Sequence, residues 1–266
     1  MRVSYLETFL HCKKVFEACG CSYGIAEDGA EMVAWGEFAG LAGLTILANE
    51  VATLQSSSRT EIQLLVEKED VTLLDGGGQS SLLVAKAVAD YALSKLGRSG
   101  KEVLVVQNTS ASKLLATQAS YVASKGKGCV ISYHTHEKKP VLLLATQRTQ
   151  YPVVIEGRAE HDLLDRMSKE FNQDVKLGND QSNGFTFICT EDLSRIDRFI
   201  EEILDEPFNS SIDIYESKKM ENQWKKSWEN GAEVDRELWD ELYKTGSKIL
   251  VESTEQSRLR GAGELA

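Results

Sequence analysis

Two histidines that follow a short apolar run are the first candidates for chemistry in this chain. His134 and His136 come directly after Cys129 to Tyr133, a stretch typical of a buried strand. Residues two apart on an extended chain point to the same face, so the two imidazoles would act together as acid and base, or bind a metal. No third metal ligand follows from the spacing, and we assign no metal. The alternative is that both are solvated loop histidines.

Polar residues occupy the turn between a second predicted strand and the helix after it. The strand is Val103 to Val106, and the helix opens shortly afterwards. In a parallel sheet this carboxyl end faces the ligand crevice, and the free N–H groups at a helix start attract anions. The alternative is that these residues only cap the helix. The candidates for a ligand site here are Asn108, Thr109, Ser110 and Ser112.

Two further segments place glycines beside groups that suit an anion. The first of them reads Asp75, Gly76, Gly77 and Gly78. Its backbone can approach a phosphate or a carboxylate closely, but the lysine and the spacing of a Walker motif are absent, so a plain strand-to-helix turn is the alternative. Near the C-terminus, Arg258 and Arg260 lie in a glycine-containing segment, and a guanidinium suits a carboxylate. There the alternative is an exposed tail.

The elements that would carry these residues are alternating strands and helices. Strand, helix and strand within about thirty residues form a βαβ unit, here Val103 to Val106, a helix, and Cys129 to Tyr133. Such a unit implies parallel strands. Val71 to Leu74 predicts another strand before it, followed by a helix that Ser80 or Ser81 can cap.

Helical segments flank this core on both sides. Ser4 can cap a first helix, Tyr5 to Cys19, and Ala26 to Leu54 predicts a longer helical region with a break near Gly43. Beyond the βαβ unit, prolines flank two short strands and give them edge character. We expect a connector at Pro207 to Ser217 and then a charged, tryptophan-rich helical region.

Four motifs follow one another between Val71 and His136. They are LLDGGGQSS, an alanine-rich helix, GKEVLVVQNTSASK and ASKGKGCVISYHT. In this order, and with the N-terminal helices before them, they resemble the type-2 malate/L-lactate dehydrogenase family, as a shortened, divergent bacterial branch. The similarity covers roughly residues 3 to 135. It implies NAD(P)-dependent reduction of 2-oxo acids on a fold other than the usual dinucleotide-binding one.

The residues that the resemblance makes catalytic are missing. The family's N-terminal segment leads into a Ser-His-Gly motif, and here the matching place is Leu41-Ala42-Gly43-Leu44, with no histidine. A second histidine belongs to a pattern like N-S-x-H, and here that register ends in Ala111, which cannot give a proton to a substrate carbonyl. The Gly-Thr-Asn-Pro cofactor segment is not recognisable after Pro140. We therefore expect no cofactor, and NAD(P) only if other residues have been reassigned.

Size and charge disfavour several kinds of partner. The chain has 266 residues, a net charge of −11 and a pI near 5.0, which disfavours nucleic acid and anionic membranes. No apolar run is long enough to span a bilayer, and the N-terminus lacks the apolar block of a signal peptide. Five cysteines, an odd number, suit a reduced cytoplasmic protein.

These observations predict an α/β fold in three parts. We expect a helical N-terminal part (1–60), a central mixed sheet that contains the βαβ unit (61–206), and a C-terminal helical segment packed on that core (207–266). The expected function is binding of a small carboxylate, or service as a partner subunit, by a homodimeric protein on a dehydrogenase-like scaffold. Two alternatives stay open: an NAD(P)-dependent oxidoreductase of 2-oxo or 2-hydroxy acids that uses His134 or His136, and a structural or assembly protein.

Overall fold

Strands and helices succeed each other along the chain, which a computed structural model describes over residues 1–56, 61–157, 183–205 and 212–249. The α-helices in these ranges are α1 (Tyr5–Ala18), α2 (Tyr23–Phe38), α3 (Gly43–Ser56), α4 (Ser81–Ser99), α5 (Ala116–Ser124), α6 (Leu193–Asp205), α7 (Ser217–Asn230) and α8 (Arg236–Gly246). The strands are β1 (Arg2–Val3), β2 (Gln63–Glu67), β3 (Val71–Gln79), β4 (Lys101–Thr109), β5 (Gly128–His134), β6 (Pro140–Ala145), β7 (Val153–Gly157), β8 (Gly184–Thr190), β9 (Ile212–Tyr215) and β10 (Ala232–Glu233).

Eight of the described strands form one mixed sheet in the order β2-β3-β4-β8-β5-β6-β7-β9. β3 and β4 are parallel, and the other neighbouring pairs in this sheet are antiparallel. β1 and β10 form a separate two-stranded ribbon that joins the N-terminus to the C-terminal region. The predicted α/β fold with a central mixed sheet and flanking helices is therefore confirmed.

The hydrogen-bonded βαβ unit is β3-α4-β4 and not the unit that was predicted through α5. β4 and β5 run in the same direction, but β8 lies between them and pairs antiparallel with both. Spacing along the chain cannot reveal a strand that is inserted from a distant segment. The carboxyl ends of β4 and β5 still lie at the same end of the sheet, because both strands pair there with the start of β8. Gln107 of β4 lies opposite Gly184, and Tyr133 of β5 lies opposite Phe185.

The two strands that were expected to have edge character lie inside the sheet. β6 begins at Pro140 and β7 follows Pro152, and each has a neighbour on both sides. Proline at or before the first position of a strand leaves the later N–H groups free to pair, which explains the misleading signal. The connector predicted at Pro207 to Ser217 is wrong in part, since β9 lies within it as an edge strand, and residues 206–211 fall outside the described ranges.

The central strands are buried on both faces. Because successive side chains of a strand point to opposite faces, Leu104 joins the larger apolar core with α1 to α5, whereas Val103 joins a second core on the other face. Helix α6 covers that second face with apolar side chains at three- and four-residue spacing, namely Ile196, Phe199, Ile200 and Ile203. This two-sided cover explains why the strands read as continuous apolar runs.

The first and last helices pack together. Ser4 caps α1 as predicted: its hydroxyl accepts the N–H of Glu7 at 3.2 Å, and the Glu7 carboxylate accepts the N–H of Ser4 at 2.7 Å. On the same helix, the His11 ring stacks on Trp239 of α8 with ring centroids 3.9 Å apart. The N-terminal and C-terminal helical parts are thus in direct contact.

A glycine on α2 positions the segment between β4 and α5. Gly36 faces the fully buried side chain of Leu114, and a methyl group added at position 36 would overlap it. Leu114 belongs to a single 3-10 turn, Lys113–Leu115, that follows the end of β4. This close approach holds the polar residues just before Leu114 at the edge of the sheet.

Candidate functional site

A cavity of about 460 Å³ opens at the carboxyl ends of β4 and β5. Most of the residues that the sequence proposed as a site meet there, although the cavity also has members that the sequence did not single out. Its lining consists of Ile46, Gly78, Asn108, Thr109, Ser110, Ala111, Ser112, Lys113, Tyr133, His134, Thr135, His136, Asn183 and Gly184.

The end of β4 is fixed by hydrogen bonds to neighbouring segments. The N–H of Asn108 donates to the carbonyl of Asn183 at 2.9 Å, and its side-chain amide donates to Asp75 Oδ1 at 2.9 Å. The Thr109 hydroxyl donates to the carbonyl of Gln79 at 2.7 Å. Asn108 has a positive φ of 54°, a conformation that asparagine adopts more readily than most residues. These bonds hold the floor of the cavity in one conformation.

The hydroxyls of Ser110 and Ser112, which come next in the chain, have weaker or missing hydrogen bonds. Ser110 Oγ donates to Glu50 Oε2 of α3 at 3.3 Å, which ties the turn to the N-terminal helices. Ser112 Oγ is buried and has no hydrogen-bond partner among the described residues. A buried hydroxyl without a partner costs free energy, and the serine that carries it lines the cavity.

The three glycines before α4 belong to a strand and do not form the loop that was expected. β3 continues through them to Gln79, with an irregular register after Asp75, because the parallel ladder with β4 extends to that end. The N–H of Gly77 donates to Asp75 Oδ1 at 2.7 Å, Gly76 packs against Thr109, and only Gly78 of the three glycines lines the cavity. The chain's own carboxylate therefore occupies the position that an anion would take at Gly77.

The two histidines stand at the far side of the same cavity. His134 ends β5 and is partly buried, and this burial lowers the pKa of its imidazole because the charged form loses hydration. His136 is exposed in the turn before β6. His134 is therefore neutral over a wider pH range than a free histidine, which suits a proton acceptor better than a proton donor.

A lysine that the sequence reasoning missed provides the positive charge of the site. Lys113 lines the cavity beside Ser112, and its Nζ lies 2.6 Å from Glu156 Oε2 on β7. The sequence did contain a signal for Lys113, because it is the only lysine or arginine between the end of β4 and the start of α5. The glutamate could not be found in this way, because it is distant in sequence.

Two further expectations concern the C-terminal arginines and a metal ion. Arg258 and Arg260 lie outside the described residues. Within the described ranges, no group of three or more histidine, cysteine, aspartate or glutamate side chains could hold a metal ion. No helix of the described chain is long and apolar enough to cross a membrane.

The described residues that line the cavity are a poor fit for a nicotinamide dinucleotide. Ala111 lines it at the position where the resemblance requires an imidazole, while Ala42 lies in a separate polar cavity of about 310 Å³. Lys113 is the one lysine or arginine among the described lining residues, and Glu156 already neutralises it. The two phosphates of such a cofactor would therefore meet no unpaired lysine or arginine among the described lining residues.

Comparisons with known proteins agree with this geometry at the level of the fold. A family model described as "Protein of unknown function (DUF3726)" matches residues 3–78. No protein with a curated description matches the chain in sequence. Among solved structures, malate dehydrogenase from Pyrococcus horikoshii OT3 is 14% identical with a TM-score of 0.69, and the match covers 95% of this chain and 96% of that one.

Two further structures are similar over nearly their whole length. Sulfolactate dehydrogenase from Methanocaldococcus jannaschii is 14% identical with a TM-score of 0.67, covering 94% of this chain and 97% of that one. Delta1-piperideine-2-carboxylate reductase from Pseudomonas syringae pvar. tomato is 11% identical with a TM-score of 0.63, covering 92% and 99%. At such identities the likeness establishes the fold alone. The chain therefore has the fold of the malate/lactate and sulfolactate dehydrogenase structures, as its motifs predicted.

Proposed function

We propose that this protein binds a small carboxylate in the cavity at the ends of β4 and β5, with Lys113 as the charge partner. The observation that carries the proposal is the meeting of Lys113, the unsatisfied Ser112 hydroxyl and His134 in one cavity. Ammonium and hydroxyl groups are the usual donors to a carboxylate. The names of the similar structures, which mention malate, sulfolactate and piperideine-2-carboxylate, are consistent with a carboxylate ligand.

The size and the mixed polarity of the cavity support a small organic acid. A volume of about 460 Å³ falls in the range typical of small-molecule sites. Its apolar part is formed by Ile46, Ala111 and the ring of Tyr133. These side chains would pack against the body of the ligand, while the polar groups at Ser112 and Lys113 would hold its carboxylate.

The ordinary dehydrogenase reaction is not what these residues favour. The places that match the two histidines of the resemblance, Leu41-Ala42-Gly43-Leu44 and Ala111, hold no imidazole. A second candidate function, reduction of a 2-oxo acid with His134 as proton donor, is favoured by the place of His134 in the cavity. Its lowered pKa counts against it, because little of the imidazolium form is present near neutral pH.

Ligand titration tests the proposal. Lactate, malate and sulfolactate should each raise the Tm of the wild-type protein, since a ligand that binds only the folded state stabilises it by an amount that grows with the logarithm of ligand concentration above the Kd. Lys113→Met should abolish most of this shift. Lys127→Met is a matched control, because Lys127 Nζ lies 2.6 Å from exposed Glu191 in an ion pair of the same length and does not line the cavity.

The outcomes separate the candidate functions. Equal shifts in wild type, Lys113→Met and Lys127→Met would refute the role of Lys113. A shift with NADH or NADPH at sub-millimolar concentration would favour the reductase and would contradict our expectation that neither nucleotide binds. No shift with any of the three acids would leave the partner-subunit alternative.

A further inference from the structure

The ammonium group of Lys113, which the proposed ligand needs, already forms an ion pair within the protein. Lys113 Nζ and Glu156 Oε2 are 2.6 Å apart, a short charge-assisted contact. The Glu156 side chain is only 20% exposed, whereas Lys113 is 41% exposed and faces the cavity. The glutamate thus approaches the ammonium group from within the protein, and the ligand would approach it from the cavity.

The position of Glu156 is electrostatically unfavourable except for the nearby ammonium groups of Lys113 and Lys139. On β7 it lies directly opposite Asp213 of β9, a second carboxylate. Like charges at opposed positions of neighbouring strands destabilise a sheet. The negative charge also reaches the wall of the cavity: the pKa of Tyr133 is raised by burial and, to a smaller extent, by Glu156. An anion in the cavity therefore experiences this carboxylate as well as the lysine.

We propose that Glu156 is a built-in competitor for Lys113, which sets the affinity of the cavity for its ligand and selects ligands of low negative charge. This inference rests on the carboxylate-binding function proposed above. An incoming carboxylate must share the ammonium group with Glu156 or displace it. Repulsion from Glu156 acts on every negative charge of the ligand, so a dianion loses more than a monoanion.

Removal of the Glu156 charge tests this role. Glu156→Gln keeps the size and shape of the side chain, and affinities for lactate and malate can be measured by isothermal titration calorimetry at fixed ionic strength. Partly exposed ion pairs have coupling free energies that correspond to a factor of about two to about five. We expect lactate to bind tighter by about that factor, and malate, with two carboxylates, to gain more than lactate.

Two further variants separate competition from general electrostatics. Glu137→Gln removes an exposed carboxylate from the adjacent turn, and should leave both affinities unchanged. In the Lys113→Met background, Glu156→Gln should give a smaller gain than in wild type, because the direct repulsion is still relieved but there is no longer a lysine to release. A gain of equal size in that background would show a long-range charge effect and would overturn the proposal.

The results also distinguish this inference from the function on which it rests. If wild type binds lactate through Lys113 but Glu156→Gln binds no tighter, the competitor role is refuted and the binding function stands. If wild type binds neither acid and Glu156→Gln binds both, the competitor role is supported in its strongest form. If neither protein binds either acid, both proposals are overturned.

Discussion

The packing of Leu114 against Gly36 can be tested as a coupled pair. Leu114→Ala removes a fully buried side chain, and such changes cost about 2–5 kcal/mol of unfolding free energy. Gly36→Ala places a methyl group against Leu114, an overlap that typically costs about 1–3 kcal/mol. The alanine also gains about 1 kcal/mol of helix propensity, so its net cost should be at most about 2 kcal/mol.

The double variant decides whether the two residues share one space. In Gly36→Ala with Leu114→Ala, the new methyl enters the volume that the leucine leaves, and the overlap disappears. The double variant should therefore be more stable than the sum of the two single costs predicts, by about 1 kcal/mol or more. Urea unfolding followed by tryptophan fluorescence gives the three free energies under identical conditions.

A matched glycine on another helix provides the control. Gly97 lies in α4, and a methyl group added there meets no atom within 4 Å. Gly97→Ala should thus stabilise the protein by about 0.5–1 kcal/mol. Additive costs in the double variant, or a Gly36→Ala protein as stable as Gly97→Ala, would show that Leu114 does not fill the space above Gly36.

Further predictions concern His11, Gly184 and Ser4. Burial lowers the pKa of His11, so the unfolded chain binds the proton more tightly than the folded protein does. The stability should therefore fall as the pH drops below about 6.5, the pKa of a histidine in the unfolded chain. His11→Gln should reduce the slope of Tm against pH between about 7.5 and 5.5. Gly184→Ala forces a methyl group against the backbone oxygen of Val106 and should cost about 3 kcal/mol in urea unfolding. Ser4→Ala breaks the capping box and should cost about 1 kcal/mol, with faster amide exchange in the first turn of α1.

Local signals in the sequence were sufficient for many of the elements and for the meeting of several candidate residues in one place. Ser4 and Ser80 cap helices where expected, since a cap depends on atoms two or three residues away. The apolar runs at Val103 and Cys129 became buried strands of the central sheet. The strand ends then brought Asn108 and His134 to one cavity, because the two strands run in the same direction.

Other features depended on contacts between distant segments. The sequence has no local signature for the insertion of β8 between β4 and β5, or for the place of β6 and β7 inside the sheet. Any apolar strand can offer its backbone N–H and C=O groups for pairing, so the choice of neighbour is not written in the strand itself. The same holds for Glu156, which reaches Lys113 only because β7 is placed beside β6. A lysine in the sequence shows that a charge is present. Whether that charge is free for a ligand or already paired is decided by the partner that the tertiary structure places beside it.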